Sequence, residues 1–141
     1  MFFKKSVLFF IMVFNCSLLW ANSAREIGSM EFYEITSSAG FSEKILDVRT
    51  PFEWNETGTI KNAITINAYD KKLKMKIKKL DKAKTYYIYC HSGVRSLRVQ
   101  ELMTKFGFKS VNVLGGMSGW LKNKLPVSKY TKNNGIFLEW N

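Results

Sequence analysis

Short runs of β-branched and aromatic residues alternate along this chain with stretches of helical period. Lys44 to Val48 (KILDV) reads as a buried strand and Ala63 to Asn67 (AITIN) as a second. Thr85 to Tyr89 (TYYIY) is the strongest strand, and Ser110 to Leu114 (SVNVL) is another. Before and between them lie helices. Ser29 is placed to cap a first helix through Tyr33 and Ile35, with Glu31 in its first turn and Gly40 at its end. Thr50, Pro51 and Glu53 combine an N-cap, a first-position proline and the reciprocal acid of a capping box, and Gly58 keeps that helix short. Leu73, Ile77 and Leu80 share one helix face within the lysine-rich stretch 70–84. Val99, Leu102, Met103 and Phe106 repeat the pattern after Ser96, and Gly107 closes it. Beyond Gly115 and Gly116 a last short helix runs through Trp120 and Leu121, and Pro126 ends it. Strands alternating with helices predict one α/β domain: an open, mostly parallel sheet of about five strands with helices on both faces. No internal repeat or interior linker appears. Val127 to Asn141 has no clear period and is read as a C-terminal extension of the domain.

The amino terminus follows a different plan. Lys4 and Lys5 precede an apolar run from Ser6 to Trp20, and small residues follow at Ala21, Ser23 and Ala24. That order is the plan of a secretory signal. The run is shorter than the roughly 18–20 residues a spanning helix needs, which favours a cleaved signal over a retained anchor. A cut after Ala21 would leave a domain of residues 22–141 and implies export, into a periplasm where there is one. Cys16 follows Val13-Phe14-Asn15, a poor match to a lipidation site. With the signal removed Cys90 is the one remaining thiol, so no internal disulfide can form. A lone thiol in an exported chain points to a reactive group or an intermolecular partner, set against the plainer reading of a buried small hydrophobe.

Charge narrows the partners. The formal net charge is +11, and losing Lys4 and Lys5 leaves 20 basic against 11 acidic residues, or +9. Such a surface attracts small oxyanions, acidic partners or anionic headgroups. Nucleic acid is disfavoured by export and by the lack of a binding motif. Eight lysines lie between Lys71 and Lys84. They read as a solvated helix face, or more sharply as a docking surface for an acidic protein partner or a membrane surface. No cofactor is implied, and no metal either: one histidine and one mature cysteine make no ligand cluster.

The candidate chemistry sits in Cys90-His91-Ser92-Gly93-Val94-Arg95-Ser96, which joins the strongest strand to a well-formed helix. Ligands in open α/β sheets bind at the carboxyl ends of strands. A loop entering a helix there aims backbone N–H groups into one concavity. The thiol of Cys90 is expected to ionise more readily in that setting, and an anion built on its sulfur would meet the same donors. Gly93 permits the tight turn, and Arg95 brings a planar cationic fork suited to oxyanions. His91 adjoins Cys90 but is read as lining the pocket mouth, because neighbours on a tight loop point apart. Asp47 and Arg49, at a strand end, are read as fixing loops by side-chain bonds. Glu53 is read as a helix cap, and Trp54 and Trp120 as packing residues.

Cys-x-x-Gly-x-Arg-Ser after a hydrophobic strand resembles the active-site loop of the rhodanese-like domain family. Leu46-Asp47-Val48-Arg49 with Pro51-Phe52-Glu53-Trp54 resembles that family's first signature. Phe108 to Trp120 (FKSVNVLGGMSGW) resembles its C-terminal one. The three occur in the family's order and cover most of Ile27 to Leu125. One departure is Gly58 to Ala63 (GTIKNA), where the family usually shows G-H-I-P-G-A. The resemblance implies a sulfurtransferase in which Cys90 takes a sulfane sulfur from a donor such as thiosulfate and passes it to cyanide or a thiol. It makes residues 91–96 the substrate-binding loop. The alternatives are a non-catalytic persulfide or redox carrier serving one partner, or an arsenate reductase or phosphatase on the same fold. Four residues separate Cys90 from Arg95, where phosphatase loops have five, and the smaller cradle suits a sulfur atom.

Overall fold

A computed structural model of the protein describes residues 25–131. The expected signal segment 1–21, with Cys16, and the part of the C-terminal extension after Thr131 lie outside the described residues. The parallel alternation is realised as a single sheet. Its strands are β1 (Arg25–Ile27), β2 (Lys44–Asp47), β3 (Ala63–Thr65), β4 (Thr85–Tyr89) and β5 (Lys109–Val113), all parallel, in the order β1-β5-β4-β2-β3. The helices between and after them are α1 (Ser29–Ser37), α2 (Pro51–Thr57), α3 (Leu73–Lys78), α4 (Val94–Lys105) and α5 (Gly116–Lys122).

Strand β4 shows why both faces need cover. Tyr86 and Ile88 point into one core with Ile77, Val99 and Met103 of α3 and α4. Tyr87 and Tyr89 point into the other, with Phe32 of α1 and Met117 and Trp120 of α5. The side-chain period of two thus splits one aromatic run between two cores, and a strand buried on both faces reads as continuously apolar. Phe32 stacks on Tyr87 at 5.4 Å and meets Trp120 edge-on at 5.6 Å, which fixes α1 and α5 against the sheet.

Local differences from the pattern have physical causes. Ser29 is not the cap of α1. Gly28 holds that position, and Ser29 is buried in the first turn, its hydroxyl accepting from Asn123 Nδ2 at 2.9 Å. The helix starts one residue early because a small polar group fits the seam between α1 and α5. Helix α4 also starts early, at Val94, with Gly93 left-handed at its cap (φ 102°). Strand β1 escapes a pattern search because its three residues hold a single apolar side chain. The capping box of α2 forms as its residues suggest: Thr50 Oγ1 accepts from Glu53 N, and Glu53 Oε2 accepts from Thr50 N at 2.9 Å.

Candidate active site

Cys90 follows β4 directly, so its backbone leaves the sheet at the carboxyl edge. Two carbonyls of this turn are held by the first turn of α5: Met117 N donates to Cys90 O at 2.8 Å and Ser118 N to His91 O at 2.9 Å. These N–H groups would otherwise lack partners at a helix start. The approach is so close that a Cβ on Gly116 would lie 2.3 Å from Cys90 O, and Gly116 also has φ +50°. The double glycine therefore has a job at this loop, not only in its own turn.

The Cys90 side chain is buried, and its sulfur accepts from Gly93 N at 3.1 Å and lies 3.5 Å from Ser96 Oγ. Burial pushes the thiol pKa up. The Ser96 hydroxyl and the N–H groups of Ser96, Gly93 and Ser92 outweigh it, so the net direction is down, toward thiolate. Ser96 has one proton for two acceptors, since Gly93 O lies 3.0 Å from the same oxygen. Asn112 of β5 shares the Gly93 carbonyl, donating to it at 3.3 Å and to Glu26 Oε1 at 2.9 Å, and so fixes the loop against β5.

The remaining loop residues divide. His91 is exposed and its Nε2 faces Ser118 Oγ at 3.3 Å, away from the sulfur. Ser92 and Val94 are exposed at the rim, with Val94 at 59 %. Arg95 turns to a partner in α2: Nη1 donates to Glu53 Oε2 at 2.8 Å and Nη2 to Glu53 Oε1 at 2.7 Å. This two-pronged pair holds the Glu53 carboxyl down at about 2, chiefly through the Arg95 bond, against burial and with help from Thr50. The Arg95 guanidinium is raised further above its ordinary value, first by the same bond. Its charge is therefore largely matched within the protein, and the Tyr69 ring lies under it at 5.7 Å.

Asp47 and Arg49 form a second, fully buried pair at the same edge. Arg49 Nη2 donates to Asp47 Oδ2 at 2.7 Å and to Gly58 O at 2.6 Å, and Nη1 to Thr57 Oγ1 at 2.7 Å. The Tyr89 hydroxyl donates to Asp47 Oδ2 and accepts from Ile60 N at 3.0 Å. This network ties both ends of α2 and the following loop to the residue just before Cys90. It touches no atom of the sulfur.

A family model for the rhodanese-like domain matches residues 31–123. The chain belongs to the rhodanese-like domain family. A putative sulfurtransferase YtwF of Bacillus subtilis is 41 % identical over 99 residues, which span 64 % of this chain and 92 % of that protein. A thiosulfate sulfurtransferase GlpE of Coxiella burnetii is 31 % identical over 110 residues, 77 % of this chain and 97 % of its own. The crystal structure of a rhodanese-related protein from Thermoplasma volcanium superposes with a TM-score of 0.67 at 33 % identity, covering 75 % of this chain and 99 % of that one. Named sulfurtransferases among the relatives place this rhodanese-like domain in a transferase family.

Within this rhodanese-like domain, the segment that departs from the family pattern is secured by other means. Thr59 pairs in an antiparallel bridge with Ser128, and Ile60 is buried with its N–H on Tyr89. The sequence alone missed Asn112, Tyr89 and the grip of Glu53 on Arg95. One signal was available for the last: a capping box after β2 puts Glu53 at the same sheet edge as the Cys90 loop.

Proposed function

We propose that this protein moves a sulfane sulfur through a persulfide on Cys90, from a small anionic donor such as thiosulfate to a thiophilic acceptor such as cyanide or a thiol. The observation that carries this reading is the sulfur itself, buried, tilted toward thiolate and met by Gly93 N and Ser96 Oγ. In the first step the thiolate attacks the outer sulfur of thiosulfate. The S–S bond to Cys90 forms, the bond to the sulfonate breaks, and sulfite leaves with the electron pair. In the second step the acceptor attacks the outer sulfur of the persulfide, and the Cys90 thiolate leaves. The N–H groups that favour the thiolate would also stabilise the persulfide anion.

Two observations support sulfur over phosphoryl chemistry. Four residues separate Cys90 from Arg95, which makes a small cradle. Both terminal nitrogens of Arg95 are already bonded to Glu53, so its fork is not presented to a tetrahedral oxyanion. Cys90 shows no exposed surface, so a donor reaches it as rim side chains give way, and a slim donor needs least room. The amino-terminal pattern supports carrying out this cycle after export.

Intact-protein mass spectrometry before and after thiosulfate tests the reading. The expected result is a gain of one sulfur atom, lost on adding cyanide and absent in Cys90→Ser. No gain in folded, reduced protein, or a gain retained in Cys90→Ser, overturns it. Sustained turnover with small donors and acceptors would separate an enzyme from a carrier that loads once for a dedicated partner.

A further inference from the structure

A cavity of about 330 Å³ opens on the face of the sheet opposite Cys90. The buried residues Ile45 of β2, Ile60 and Trp120 of α5 form its floor. They belong to the core under α1 and α5, whereas Cys90 belongs to the core under α3 and α4. Half-buried Tyr33 of α1 and Phe41 form its sides. Tyr33 meets Trp120 edge-on at 5.7 Å and Phe41 leans on Tyr87 at 6.0 Å, so rings behind the lining hold it in place.

The mouth of the cavity is polar, and one turn supplies it. Ala63 N donates to Ile60 O at 3.1 Å, closing a tight turn with Lys61 and Asn62 at its centre. Asn62 takes φ 63°, a left-handed conformation that costs any side chain more than it costs glycine. Both ends of the turn are buried, and Ile60 N is bonded to the Tyr89 hydroxyl at 3.0 Å. An amine and an amide are therefore carried at the opening by anchored backbone. Lys61 has no ion-pair partner among the described residues, and no carboxylate lines the cavity. Neither Lys61 nor Asn62 contributes to the Cys90 site, and both lie in the segment where this chain departs from its family's usual pattern.

We infer that this cavity binds a small aromatic carboxylate, its ring against Tyr33, Phe41 and Trp120 and its carboxylate toward Lys61. The volume lies at the lower end of the range for small-molecule sites, roughly 300–1,000 Å³. That suits one ring with a short acid arm and leaves no room for a long acyl chain. Aromatic walls favour a ring, which can meet them edge-on or offset-stacked. The one charged side chain in the lining favours an anion, and the field of a chain with net charge +11 has the same sign. Imperfect packing between α1 and the sheet explains an apolar hollow. It does not explain a left-handed asparagine and an unmatched lysine fixed at the opening. The inference needs nothing from Cys90, so it and the sulfur reading fail separately.

Calorimetric titration of the full chain with phenylacetate, and with its neutral counterpart 2-phenylethanol, tests this. One phenylacetate per chain should bind with a Kd below about 1 mM. The alcohol should bind about threefold to fivefold more weakly, the scale of one solvent-exposed ion pair. That difference should vanish in Lys61→Gln. Ser37→Trp fills the cavity from an exposed position on its rim, and should abolish binding of both compounds while Cys90 alkylation keeps its wild-type rate. Absence of saturable binding to folded protein overturns the inference. So do equal affinities for acid and alcohol, a preference that Lys61→Gln leaves intact, or binding that survives Ser37→Trp. Binding seen only in the double variant Phe137→Ser, Trp140→Ser would assign the cavity to the chain's own apolar segment 136–140 and overturn it as well.

Discussion

Replacing Glu53 by Gln should disclose how much of the site's order depends on one carboxylate. That carboxylate accepts two bonds from Arg95 and two from Thr50, at 2.7–2.9 Å. Its pKa falls from 4.5 to about 2 in the folded protein. Taken at face value, that shift corresponds to roughly 3 kcal/mol between ionised and protonated forms. The side chains of the pair are 19 % and 23 % exposed, so solvent screens part of it, and about 1–2 kcal/mol is the reasonable expectation. Glutamine keeps one acceptor oxygen and turns an amide toward the guanidinium, so Glu53→Gln should lose that amount at pH 7. The pH dependence has a definite sign. The folded pKa is depressed, so the contribution is complete above about pH 4.5 and disappears as pH falls through about 2. Denaturant unfolding of wild type and variant, followed by tryptophan fluorescence at several pH values between 7 and 2.5, reads both quantities. The gap between the two should narrow toward the acid end. A gap that stays constant across this range would refute the reasoning. So would an Arg95→Gln, Glu53→Gln double variant whose losses simply add, since coupled partners must not.

Three other outcomes follow from the same geometry. Ser96→Ala removes one donor from the thiolate, worth about 1 kcal/mol, and should slow alkylation of Cys90 by iodoacetamide roughly fivefold at neutral pH. Because the Cys90 pKa is held below its ordinary value by that donor, the alkylation profile should move to higher pH; an unmoved profile would discount Ser96. Gly116→Ala places a Cβ into Cys90 O at a positive φ, and should lower stability by about 3 kcal/mol or more in thermal unfolding, whereas Gly107→Ala, with open space around it, should suffer only the backbone penalty. Asp47→Asn leaves Arg49 buried without its counter-charge and removes a good acceptor from Tyr89. A loss of about 3–5 kcal/mol is expected in denaturant melts, and a loss under 1 kcal/mol would show the network to be dispensable.

The legible part of this molecule is what short-range chemistry encodes. The capping box at Thr50 and Glu53 needs only residues three apart, and the TYYIY run announces β4 because both its faces are buried. Cys90 stood out because a strand, a glycine and a helix start follow one another in sequence. The rest depends on residues that only the fold brings together. Arg95 and Glu53 are 42 positions apart, as are Tyr89 and Asp47, and Asn112 reaches Gly93 across 19. No local pattern distinguishes Asn112 from any other polar residue in a strand, although its place in a buried run was a hint that its amide had partners. Ser29 failed as a cap for a related reason: packing against α5 claimed its hydroxyl.

The pairing of Arg95 changes how an anion would be held at this site. The sequence invites a picture in which a free guanidinium draws the donor in, yet Glu53 matches that charge, and Asp47 matches Arg49 nearby. Beside the paired Arg95 charge, whose interaction with Cys90 ranks below its bond to Glu53, the sulfur is held chiefly by neutral dipoles: N–H groups of Ser92, Gly93 and Ser96, and one hydroxyl. Such donors stabilise charge that resides on the sulfur, as thiolate or persulfide, and do little for charge elsewhere on a ligand. A site of this kind should discriminate weakly among donors by their net charge and strongly by whether a sulfur atom fits the cradle. Comparing loading rates for thiosulfate and for an organic persulfide of lower charge would show it, with similar rates expected. A rate for thiosulfate that collapses at high salt while the persulfide rate holds would restore Arg95 to the role of anion receptor.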